Sequence, residues 1–276
     1  MLNLKIMRNT VRLVAISAIG VMLLAGCGNN AQKENNDQAT EEKTENSISV
    51  TPVEHSKAFP GAVLKNSDIR AKETASPDTV ALRVNYSIEN FILTEATEDH
   101  NTHHLANSHD GQHIHFILDN SPYTALYKPE HEVQLKKGTE HYLLSFLSRS
   151  YHESIKEPEA FVLKRFRITE DGKYRELELP KTPMLFYSRP KGEYGGKDTQ
   201  AVLLDFYVLN TELSKHGNKI KAEINGETFV LDNWQPYKIE GLPLGENRIK
   251  LTLVDASGNA LTGENTSIER TVVLKE

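Results

Sequence analysis

The feature that most limits how this chain can fold is a duplicated run of alternating residues. The stretch Asp78 to Asn90 aligns without a gap on Asp198 to Asn210. Gly111 to Leu118 then matches Gly217 to Ile224, and Gly138 to Ser148 matches Gly245 to Asp255, in the same order. A set of segments repeated in order implies one supersecondary unit built twice. Within the segments apolar and polar residues alternate with period two, the signature of half-buried strands. Each copy holds about seven such segments, separated by turn signals such as Asp171-Gly172, Asn225-Gly226 and Ser257-Gly258.

The pattern predicts an all-β protein of two tandem immunoglobulin-like antiparallel β-sandwiches, with no room for long helices. The expected modules are residues 58–180 and 181–276, divided where Leu179-Pro180-Lys181-Thr182-Pro183 interrupts the strand pattern.

The copies differ in their histidines. Nine of the eleven fall between His100 and His152, within the first module. Residues 91–110 form a 20-residue gap where the second copy has six, and the longer loop brings His100, His103, His104 and His109. Loops of that length are commonly functional or disordered. On the strand after it, Ile114, Phe116 and Leu118 alternate inward, so His113 and His115 share the opposite face. The second copy has Lys219 and Lys221 there, so both histidines are expected to be exposed. In an immunoglobulin-like sandwich the 91–110 loop and the segment Ser148 to Ser154 meet at one end. His152 then approaches His113, with His115 one step down, while His141 starts its strand at the far end.

Converging neutral imidazoles suit Zn²⁺, Cu²⁺ or Ni²⁺. The candidate ligands are His103, His104, His109, His113, His115 and His152, with zinc or copper as the candidate cofactor. Two other readings are a solvated histidine surface and an acid-sensing surface.

The N-terminus supplies an address. Lys5, Arg8 and Arg12 precede an apolar run, Leu13 to Leu24, that is too short for a comfortable transmembrane span. Leu24-Ala25-Gly26-Cys27 follows, with the only cysteine of the chain. This segment resembles bacterial lipoprotein signals, which implies a signal peptide over residues 1–26 and lipid attachment at Cys27. With Cys27 acylated no thiol remains for a disulfide, a thiolate ligand or a nucleophile. Residues 27–57 are polar and predict a disordered tether, whose reach is on the order of 30 Å. Removing the leader takes away Lys5, Arg8 and Arg12, so the net charge goes from −6 to −9. That acidity argues against nucleic acid as a partner. Gly-x-Ser-x-Gly, His-Glu-x-x-His and phosphate-binding glycine loops are all missing from the sequence, so the expectation is binding and not catalysis.

Gly111-Gln112-His113-Ile114-His115, Asp119 to Tyr123, and His141 to Lys156 are similar to segments of a largely uncharacterised bacterial lipoprotein family with tandem β-sandwich modules. The likeness extends to Ser188 to Gly196 and Gly245-Glu246-Asn247, and covers nearly the whole mature chain. It implies a cell-envelope protein, membrane-bound through its lipid. Gly28 after Cys27 lacks the Asp that retains some lipoproteins at the inner membrane, which points to the outer membrane, or to another membrane in a Gram-positive host. Some members are labelled phosphopeptide-binding. Forkhead-associated domains read phosphothreonine with Ser-Arg-x-His, and Ser148-Arg149-Ser150-Tyr151-His152 has one residue more. Arg149, Ser150 and Tyr151 are thus candidate ligand-binding residues for a phosphate or carboxylate, with bracing of the loop as the competing reading. An unknown protein, peptide or glycan recognised by the long loop is the remaining partner class.

Overall fold

The computed structural model describes residues 47–276. The predicted signal peptide, Cys27 and most of the predicted tether lie outside the described residues. Among the described residues, seventeen strands make up nearly all the regular structure. The first sandwich contains β2 (Val63–Glu73), β3 (Thr79–Glu89), β4 (His113–Leu118), β5 (Thr124–Leu126), β6 (Glu130–Lys136), β7 (Glu140–Ser148), β8 (Phe161–Ile168) and β9 (Tyr174–Leu177). The second contains β10 (Met184–Arg189), β11 (Glu193–Gly195), β12 (Ala201–Leu209), β13 (Lys219–Ile224), β14 (Glu227–Leu231), β15 (Tyr237–Glu240), β16 (Gly245–Val254) and β17 (Ser267–Lys275).

In the first sandwich the sheets run β2-β3-β6 and β5-β4-β7-β8-β9, and in the second β15-β12-β10 and β11-β17-β16-β13-β14. Neighbours are antiparallel except the short β11, which pairs in parallel with β17. The duplicated segments therefore occupy equivalent places: β3 with β12, β4 with β13, and β7 with β16. This is immunoglobulin-like strand order in both halves. Each sandwich closes on its own core. Val80, Leu82 and Val84 meet Ile114, Phe116, Leu143 and Phe166 in the first, and Val202, Leu204 and Phe206 meet Ile220, Ala222, Leu251 and Val272 in the second.

The end of the predicted tether is a correction. Ser49–Pro52 forms β1, an edge strand antiparallel to β15 of the second sandwich. The segment is too short and polar to form a strand alone, but β15 offers it an open edge of backbone donors and acceptors.

A third apolar cluster joins the halves. Ile117, Leu144 and Phe146 on the outer face of β4 and β7, with Tyr123 just before β5, pack against Met184, Phe186 and Tyr207 on the outer face of β10 and β12. Phe146 stacks on Tyr207 with ring centroids 4.6 Å apart, and the Tyr207 hydroxyl donates to the Ile155 carbonyl at 2.6 Å. Asn120 bridges the halves through its amide, donating to the Leu185 carbonyl and accepting from the Tyr187 N–H, both at 2.9 Å. The two sandwiches thus belong to one compact unit, residues 45–276.

Candidate metal centre

His113 and His115 alternate with Ile114 and Phe116 as expected, but their face is not wet. Both side chains are fully buried, which overturns the expected exposure. The reason lies in the joining of the sandwiches. In the second copy Lys219 and Lys221 sit on a sheet face left half-exposed, whereas the equivalent face of the first sandwich is covered by β10, Tyr123 and the 148–154 loop. The lysines report the solvent on their own side of the molecule only.

The backbone before β4 is fixed by Gly111. Its φ of +82° is left-handed, and a Cβ there would lie 2.4 Å from the Thr94 carbonyl oxygen, so no other residue fits without displacing the loop. Next to it Gln112 N donates to the Glu95 carbonyl at 2.7 Å, and the Gln112 carbonyl accepts from Thr94 N at 2.8 Å. The Gly111 carbonyl in turn accepts from His113 Nδ1 at 2.8 Å. A carbonyl only accepts, so Nδ1 carries the proton and Nε2 presents its lone pair.

That lone pair meets two further rings. His115 Nε2 and His152 Nδ1 each lie 3.0 Å from His113 Nε2, and the three nitrogens all fall within 4.8 Å of one another. The Tyr123 hydroxyl is 3.1 Å from the same His152 Nδ1. On the other edge of His115, Nδ1 meets Ser188 Oγ of the second sandwich at 3.0 Å. One lone pair thus faces two imidazole nitrogens, and one His152 nitrogen faces both a ring and a phenol. One-to-one hydrogen bonds cannot satisfy all of these contacts, whereas a single cation accepts every lone pair at once. Tetrahedral zinc with Zn–N of about 2.0–2.1 Å requires donor separations of about 3.3 Å, and the two separations from His113 Nε2 are 3.0 Å.

Burial also sets the protonation state. It pushes His113 down to about 4, partly opposed by the Gly111 carbonyl and reinforced by Arg189 and Lys191. His115 and His152 are likewise held well below the ordinary range, first by burial and then by neighbouring positive charge. All three are neutral at pH 7, the form that ligates metals.

The other candidates are placed elsewhere. His103, His104 and His109 are exposed, the first two at and just after a short 3-10 helix (His100–His103), and none reaches the cluster. His104 instead lies 4.2 Å from the ring of His100, on a cleft also lined by His55. The long loop serves the cluster indirectly. Thr97 exchanges hydrogen bonds with Ser150, Ser108 N donates to the Ser150 carbonyl at 2.9 Å, and Asp99 accepts from the Tyr151 hydroxyl at 2.7 Å.

Arg149, Ser150 and Tyr151 are all buried and engaged with protein atoms. Arg149 pairs with the Glu153 carboxylate at 2.9 Å and donates to the carbonyls of Lys57 and Ser154. These contacts fit the bracing reading. They hold His152, whose φ of +70° is left-handed, a conformation costing roughly 1–2 kcal/mol for a residue with a Cβ.

Tyr123, Ser188, Arg189 and Lys191 belong to the site although sequence reasoning assigned them no role. The available signal was the apolar run Ala201 to Leu209, interrupted only by Asp205, which marks a strand covered on both faces and so a second sandwich docked on something.

No family model and no curated protein matches this sequence. Among solved structures, similar chains include fibronectin(III)-like modules of Clostridium thermocellum CbhA, at 9% identity and TM-score 0.27, covering 78% of this chain and 94% of that one. The two tandem V-type regions of VCBP3, a v-region-containing chitin binding protein, match at 10% identity and TM-score 0.22, covering 78% and 99%.

Proposed function

We propose that this chain is a lipid-anchored envelope protein whose paired β-sandwiches bind a first-row transition metal, zinc or copper, at His113, His115 and His152. The observation that carries the reading is the convergence of His113 Nε2, His115 Nε2 and His152 Nδ1 on one buried point. The protonated Nδ1 of His113 on a backbone carbonyl and the Ser188 hydroxyl on His115 supply the outer-shell contacts that orient ligating imidazoles. The site offers nitrogen donors and no described carboxylate, a set that favours zinc or copper over magnesium or calcium. Anchoring rests on Leu24-Ala25-Gly26-Cys27 and the leader before it. Binding fits this closed site better than catalysis.

The experiment is a calorimetric titration with Zn²⁺ and Cu²⁺ of full-length chain purified from palmitate-labelled membranes. Binding should weaken by about a hundredfold or more in H113A, H115A and H152A, at or beyond the upper end of typical outer-shell losses. Unchanged affinity in these variants would refute the site, and label retained in C27S would refute the anchor.

A further inference from the structure

A second set of imidazoles lies outside the buried cluster, on the cleft where the 91–110 loop meets a strap of residues 53–57. The cleft holds about 410 Å³, and its lining includes His55, His100, His104 and Glu240 with the buried Leu105 and Ala201. The loop presents two of these rings as a pair. Asp99 caps the short helix, its Oδ1 accepting from Asn101 N at 2.9 Å, and the Asn101 carbonyl accepts from His104 N at 3.1 Å and Leu105 N at 3.0 Å. The last is an α-type bond between residues four apart, so His100 and His104, also four apart, share one face of the turn. Their ring centroids are 4.2 Å apart. Leu105 packs on Tyr151 of the first sandwich and on Ala201 and Leu203 of the second, which fastens the turn to both.

The third ring comes from the strap. Asn101 is buried, and its Nδ2 donates to the Glu54 carbonyl at 3.0 Å and to Ser56 Oγ at 3.4 Å, which rivets the strap to the turn on either side of His55. His55 has a φ of +60°, a left-handed conformation costing roughly 1–2 kcal/mol for a residue with a Cβ. Strain of this kind gathers at ligand sites. The His55 ring is exposed, and its Nε2 is 3.8 Å from the Glu54 carboxylate, beyond hydrogen-bond reach, so it is free to turn into the cleft. Lys238 on the same cleft is paired with Glu240 at 3.0 Å, and Glu54 leaves the lining with a net negative charge, which suits a cation. Two histidines four apart on one helical face have the spacing of paired ligands in helical zinc sites. We infer that His100, His104 and His55 form a second, open transition-metal site, which takes Zn²⁺ or Cu²⁺ independently of the buried one. His100 and His104 supply the paired donors, and His55 closes on the ion from the strap. Because the site is exposed, water or an added ligand completes the shell, as at zinc sites with three protein ligands.

Calorimetric titration of the full-length protein with Zn²⁺ and with Cu²⁺ should resolve two steps, a tighter and a weaker. H100A and H104A should each weaken the second step by about tenfold or more and leave the first in place. H103A is the control, since His103 belongs to the same short helix but lines a separate cleft with Thr97 and Asn107, and both steps should survive it. If no step responds to H100A or H104A, the open site is overturned. It is equally overturned if H103A weakens the second step as much as H104A does, because a diffuse histidine surface would then be binding. In the wild-type protein, where no variant has to fold, the amide NMR signals of residues 54–56 and 99–105 should broaden as Cu²⁺ fills the weaker step, and sharp signals there would also overturn it. The two metal sites fail separately. A tighter step that persists in H113A, H115A and H152A removes the buried site alone, and a titration with only the tighter step removes the open one alone.

Discussion

His113 ties its backbone, its ring and its solvent exclusion into one titration. Because burial holds its folded pKa at about 4, the folded protein refuses a proton that the unfolded chain accepts below about pH 6.5. Stability is therefore complete above that value and is lost as pH falls toward the folded one. For His113 alone the loss is about 2 kcal/mol at pH 5. His115 and His152 shift in the same direction and add to it. Urea midpoints of metal-free protein should fall between about pH 7.5 and pH 5, and fall less in H113N. Equal midpoints at both pH values would contradict the buried neutral imidazole. Period-two alternation made the shared face of His113 and His115 legible in the sequence. Their burial was not, because it depends on residues more than seventy positions away, Ser188 above all.

At the scale of elements, the 148–154 loop carries His152 on a buried ion pair. Arg149 and Glu153 are almost inaccessible, and Ser56 Oγ donates to the Glu153 carboxylate at 2.7 Å. Removing one charge leaves the other buried and unpaired, a loss of about 3–5 kcal/mol. R149M should destabilise by roughly that amount, while R149M/E153L should recover much of it, since paired apolar replacements of buried ion pairs are often near neutral. The double-mutant cycle, read by urea unfolding, checks the bracing role. A stable R149M would restore Arg149 as a residue free to hold an external anion. The sequence marked this loop through its resemblance to a phosphate-reading motif, but composition cannot say whether an arginine faces a ligand or Lys57, Ser154 and Glu153. Strands β3, β4, β7 and their copies were legible because each alternates on a core of its own. β1 was not, since its strand state is borrowed from the edge of β15.

The site exists only because the two sandwiches dock. In the first sandwich His115 meets Ser188 of β10 and Tyr123 meets Arg189 and Lys191, and the 148–154 loop is pinned across the join where Ser154 and Lys156 bind the Asp205 carboxylate of β12. The two sandwiches share a strand order but not an outer face. Both have inward-facing cores, while their outer faces differ: Lys219 and Lys221 on one, His113 and His115 on the other. Docking buried the histidine face and left the lysine face half-exposed. Phe186 lies in the middle of the join, two residues before Ser188 on the same face of β10. F186A should cost about 3–5 kcal/mol, as large-to-small changes at fully buried aromatics do. It should also weaken zinc binding, because the support for His115 is carried by the docked strand. S188A, which removes only that support, should lower zinc affinity about 10–100-fold with a much smaller effect on stability. Urea unfolding and calorimetry on the same samples separate the two effects. Should F186A lose stability while zinc affinity stays at the wild-type value in both variants, the first sandwich alone would hold the metal, and docking would serve only to bury an apolar face.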